Sequence, residues 1–94
     1  MINLNLNLNQ KMPVQFSSLE SLRKAVICNP FKYDGLCFFD SPSDEETMLE
    51  LVFSECYKNW EVAECGGAES ESFDDVEHAV DSFIVELKEL GVGW

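Results

Sequence analysis

Residues 2–9 alternate without exception, with Ile2, Leu4, Leu6 and Leu8 set against Asn3, Asn5, Asn7 and Asn9. A period of two puts successive side chains on opposite faces of a pleated chain, so the segment predicts a strand with one buried face. Asparagine is a poor strand former, so the pattern has to outweigh the propensity. A polar turn around Gln10 and Lys11 follows. Pro13 has no N–H for a ladder and is excluded from a central strand, and Val14–Phe16 reads as a short return strand. The period then changes. Leu19, Leu22 and Val26 form one stripe of a helix that opens at Ser17-x-x-Glu20, a capping box, and ends at Asn29-Pro30. Arg23 and Lys24 lie three and four residues beyond Glu20 and read as its partners on the same helix.

"GLCFFD", after Gly35, predicts a buried strand. The next segment carries two patterns at once. Ser43-x-x-Glu46 is a second capping box, and Met48, Leu49, Val52, Phe53, Cys56 and Tyr57 share one helical face. Leu49, Leu51 and Phe53 also alternate with Glu50 and Ser54, as in a strand. The strand reading makes "TMLELVFSE" and "WEVAEC" a hairpin around "YKN". "GGAESES", residues 66–72, reads as a flexible internal loop without a large apolar anchor. The last helix runs from Asp74 to about Leu90, with a stripe of Val76, Val80, Phe83, Ile84, Leu87 and Leu90, and Gly91 closes it. Its opening, "FDDVE", matches "FSSLE" residue for residue in type, which reads as shared helix-start chemistry rather than an internal repeat. The expected fold is α+β: a small antiparallel sheet with two, possibly three, helices packed on one face. Residues 1–94 form a single compact domain, since a chain of 94 residues with 46% hydrophobic content supports one core and not two.

Charge changes this picture more than composition does. The net charge is −12, and it is uneven. Residues 1–43 hold four basic and three acidic residues, a net of +1, whereas residues 44–94 hold fifteen acidic residues against Lys58 and Lys88, a net of −13. Such a field repels nucleic acid and anionic membrane and attracts basic partners, although acidity also serves plain solubility. No apolar run approaches the roughly 20 residues of a bilayer span. The start lacks the basic and apolar blocks of a secretory signal, so the expected location is the cytoplasm of the producing or infected cell.

Candidate chemistry is sparse. Cys28, Cys37, Cys56 and Cys65 include no C-x-x-C pair, so they read as reduced thiols acting as small buried hydrophobes, without metal. His78, the single histidine, falls on the polar side of the last helix, where it reads as a surface residue and not as a general base. "DSPSDEETMLEL", from Asp40, lacks the glycine an EF-hand loop needs at its sixth position. No glycine-rich phosphate cradle occurs, and carboxylates on a solvated helix have no pocket to split their pKa values. No enzyme, no cofactor and no metal are expected.

The acidic surface remains as the candidate tool. Glu77 and Asp81 are four residues apart, a like-charge spacing that costs a helix about 0.2–0.5 kcal/mol. Glu86 and Glu89 oppose the helix dipole. Only Lys88 answers them on the helix, so replacing Asp81 with lysine is expected to leave folding unharmed. The expected partner-binding residues are Asp74, Glu77, Asp81, Val85 and Glu89 on the last helix, with Asp44, Glu45, Glu46 and Glu50 as a second cluster. Carboxylates repeating every ~6 Å along a helix can stand in for phosphates. The function expected first is a small acidic inhibitor that occupies the nucleic-acid site of a basic nucleic-acid-binding protein, as anti-CRISPR and anti-restriction proteins do. The alternatives are an immunity protein or antitoxin that clamps a basic toxin, and an acidic adaptor domain with no inhibitory role.

Overall fold

A computed structural model describes residues 2–7, 11–38, 49–64 and 70–91. The alternating start is strand β1, Ile2–Asn7, and it pairs antiparallel with β2, Lys11–Phe16. The register sets Ile2 opposite Phe16 and Leu4 opposite Val14, so apolar positions meet across one face. Ile2, Leu4 and Leu6 are buried there, while Asn3 is exposed on the other face. Pro13 lies in β2, the outermost strand on that side, where its missing N–H leaves no central ladder bond unmade.

Helix α1, Leu19–Cys28, buries Leu22 and Val26 and ends at Asn29. Its N-cap is Ser18, one residue later than the capping box predicts; the Ser18 hydroxyl accepts from the Ser21 N–H at 3.1 Å. Ser17 instead shares a 2.8 Å hydrogen bond with the Ser21 hydroxyl. A 3-10 turn, Pro30–Tyr33, leads to β3, Leu36–Phe38.

Both patterns in the ambiguous middle segment cannot be satisfied, and the strand wins. Strands β4, Leu49–Ser54, and β5, Asn59–Glu64, form a hairpin with Leu51 opposite Val62 and Phe53 opposite Trp60. The alternation lets Leu49, Leu51, Trp60 and Val62 enter one core, which a helical stripe through Val52 and Cys56 would not. Residues 39–48, with the Ser43–Glu46 box, lie outside the described residues. Strand β6, Ser70–Phe73, shortens the expected 66–72 loop from its C-terminal end; residues 65–69 lie outside the described residues. Helix α2, Val76–Glu89, follows, and Gly91 takes a positive φ of 82° just beyond it.

The result is α+β, with one antiparallel sheet in the order β2-β1-β3-β4-β5-β6 and two α-helices. The sheet is larger than the small one expected. Every neighbouring pair is antiparallel. One core joins Leu4, Leu36 and Leu51 of the sheet to Leu22 and Val26 of α1 and to Val80, Phe83 and Leu87 of α2. Leu90 is the exception in its predicted stripe and is 42% exposed. The helix-start match also has a topological counterpart. Each α-helix follows the second strand of an edge hairpin, β1-β2 or β5-β6, and Phe16 and Phe73 end those strands. None of the helices described is long and apolar enough to cross a membrane.

Candidate acidic interaction surface

Helix α2 starts just after the edge strand β6; in its first turn Glu77 and His78 are exposed, whereas Val76 packs against the core and Ala79 is buried. Asp75 is the N-cap, and its carboxylate accepts the His78 N–H at 2.9 Å. The same carboxylate meets the His78 ring Nδ1 at 2.7 Å. The backbone hydrogen bond and then the ring hold the Asp75 carboxyl below its ordinary value, and the Asp75 hydrogen bond and charge push His78 up. His78 is exposed, as its place on the polar side of the helix predicts. Asp74 is exposed beside it.

Glu77 and Asp81 are not without a cation. Arg23 reaches over from α1, donating from Nε to Asp81 Oδ1 at 2.6 Å and from Nη2 to Glu77 Oε1 at 3.0 Å. The hydrogen bond to Asp81 is the main reason the guanidinium is held still more firmly protonated. Two expectations change with this. Arg23 bridges the two helices rather than pairing with Glu20 on its own. The like-charge pair on α2 is stitched by one shared arginine, so Asp81 has a structural role and its replacement by lysine is no longer neutral. Two carboxylates on one guanidinium still leave one negative charge.

Val85 and Glu89 are exposed further along α2, and Val85 is 53% accessible. Thus Glu77, Asp81, Val85 and Glu89 lie on α2, with Asp81 half-buried and the other three exposed, and Asp74 is exposed just before the N-cap. Of the second cluster, Glu50 does not join them. Glu50 points to the sheet face away from the helices, because its neighbours Leu49 and Leu51 occupy the core face; Cys37 and Ala63 are its cross-strand partners. Burial first, and then the charge of Asp34, pushes its carboxyl up. Asp44, Glu45 and Glu46 lie outside the described residues.

The cysteines also divide. Cys37 is buried, and its thiol donates to the Asn5 carbonyl at 3.2 Å. Cys28 and Cys56 are exposed, contrary to the expectation of burial, because one ends α1 and the other sits in the β4-β5 turn. Cys65 lies outside the described residues.

Two exposed aromatic residues, Phe31 and Tyr57, had no binding role among the sequence expectations. Phe31, in the 3-10 turn, is 68% exposed, and Tyr57, in the β4-β5 turn, is 77% exposed. Phe31 rests edge-on against Phe53 at 5.2 Å between centroids and tilted against Trp60 at 5.9 Å. The available signal was "NPFKYD", a short proline-bounded segment whose aromatics fit neither a helical nor a strand period.

Comparison with protein-family models, with curated proteins and with solved structures returned no match.

Proposed function

We propose that this protein is a small acidic inhibitor that binds a basic nucleic-acid-binding protein and occupies its nucleic-acid site. The observation that carries the reading is where the fold puts the charge. Strands β4, β5 and β6 lie together at one side of the sheet, and α2 packs over them. That half holds eleven described acidic residues against Lys58 and Lys88. The uneven charge of the sequence therefore becomes an uneven charge in space, and a directed field of this kind steers a basic partner to one side. Among the described residues, Arg23 is the cation from the other half that reaches α2, and it is already shared by two carboxylates. A rigid, acidic helix face competes with phosphates for lysines and arginines without needing a pocket or a cofactor. The protein acts by binding and not by catalysis, in the cytoplasm where such targets work.

The test is displacement of labelled DNA or guide RNA from a panel of basic effectors, including a CRISPR nuclease and a restriction endonuclease. One effector is expected to lose its nucleic acid in a saturable manner, with inhibition that weakens as salt rises. An Asp74→Lys, Glu89→Lys variant is expected to inhibit less while melting at the same temperature. Binding without displacement, with relief of a toxin's activity instead, would move the protein to the immunity class. Displacement unaffected by the double reversal would remove α2 from the interface.

A further inference from the structure

We infer that Phe31 is the anchor of the acidic surface and takes an arginine side chain of the basic partner. The inference rests on the acidic-surface reading above and deepens it. A phenyl ring that is 68% exposed contributes little to the core, yet this one packs against two other rings. Phe53 and Trp60 hold it from below and are themselves 5.3 Å apart between centroids. Trp60 is buried and Phe53 is half-buried, so the seat is part of the packed core edge. Rigid, half-seated aromatics are the side chains on which binding energy concentrates, because little entropy is lost when they are covered.

The surroundings specify the occupant. Trp60 is the cross-strand partner of Phe73, and Phe73 is followed directly by the exposed Asp74 and Asp75. Phe53 leads within two residues to exposed Glu55 and within four to Tyr57. Along the chain, then, carboxylates follow the aromatic cluster on two strands, while Lys32 directly follows Phe31 and Lys58 follows Tyr57; Phe53 and Trp60, the rings under Phe31, belong to β4 and β5 of the acidic half. A guanidinium is the one common side chain that stacks flat on a ring while its edge donates to carboxylates, and it is less strongly hydrated than an ammonium. Lysine satisfies the carboxylates but gains less from the ring. The chain's net charge of −12 supplies the complementarity to an arginine-bearing partner.

The experiment uses the full chain with hexa-arginine and hexa-lysine peptides at low salt, read by NMR of the aromatic side chains and by titration. Hexa-arginine is expected to shift the Phe31 ring resonances and to bind more tightly than hexa-lysine. Phe31→Ala is expected to weaken hexa-arginine by about two- to fivefold, the range a surface cation–π contact carries, and to leave hexa-lysine unchanged. Phe31→Leu, which keeps an apolar side chain in the seat, is expected to lose the same preference, and Phe31→Tyr to retain it. Hexa-arginine binding with unmoved Phe31 resonances would overturn the anchor and leave the acidic surface standing. Equal losses for both peptides would also overturn it, since Phe31 would then act through the fold. Failure of both peptides to bind wild type would overturn the acidic surface and the anchor together.

Discussion

Among the described residues Phe83 is the largest fully buried side chain, with no exposed surface, and it joins α2 to the sheet. Truncating a ring so placed to alanine removes its transfer energy and leaves a cavity, a cost of about 3–5 kcal/mol. A domain of this length has a total stability of about 5–14 kcal/mol. Its unfolding entropy, near 0.2 kcal/mol per degree at the midpoint, converts the loss to a Tm lower by roughly 15–25 °C. Phe83→Ala is therefore expected to leave a marginal or partly unfolded protein. Val85 lies two residues further along the same helix and is 53% exposed, so Val85→Ala is expected to stay within about 0.5 kcal/mol of wild type. Thermal melts followed by circular dichroism, with urea titrations to confirm an unchanged m-value, separate the two. A Phe83→Ala melt within about 5 °C of wild type, or equal shifts for both variants, would refute the seating of α2 described above.

Four further outcomes follow from particular contacts. Glu50→Gln is expected to raise Tm at neutral pH, because burial raises the Glu50 carboxyl and its ionised form costs stability above the folded pKa; the gain should vanish as pH falls below the ordinary value of 4.5. Asp81→Lys is expected to lower Tm by a few degrees by setting two cations together at Arg23, and the exchange Arg23→Glu with Asp81→Lys is expected to recover most of the loss. His78 is raised by Asp75, so its contribution is full below the ordinary value of 6.5 and is lost as pH rises through the folded value. His78→Gln should therefore melt below wild type in mild acid and match it in alkaline buffer. Cys28 and Cys56 are expected to react with a maleimide in the native state, with Cys37 labelled only after unfolding, as mass spectrometry of the peptides would show.

What was legible in the sequence was local. The period of two in β1 and the stripe of Val80, Phe83, Ile84 and Leu87 in α2 each set a burial pattern within a few residues, and tertiary packing used both. The middle segment was ambiguous because its apolar residues satisfy both periods. Only the pairing with Val62 and Trp60 decides between them, and that partner strand is not visible from the segment alone. The cap moved from Ser17 to Ser18 because adjacent serines offer the same chemistry. The Arg23 bridge was out of reach: its partners lie 54 and 58 residues away, whereas Glu20 offered a plausible partner three residues off. Phe31 was missed for the opposite reason, since a side chain outside any period gives periodicity nothing to read.

The two outer strands are guarded by different means, and this governs how the protein would self-associate. In β2 the guard is covalent: Pro13 cannot donate to an incoming chain at any pH. In β6 the guards are its length of four residues and its exposed carboxylate Glu71. Pairing between copies is therefore directed to the β6 edge, whose guard is not covalent. Two copies joined through β6 present only proline-bearing edges outward, so growth stops at a twelve-stranded dimer, twice the six strands of one chain, instead of propagating as a fibre.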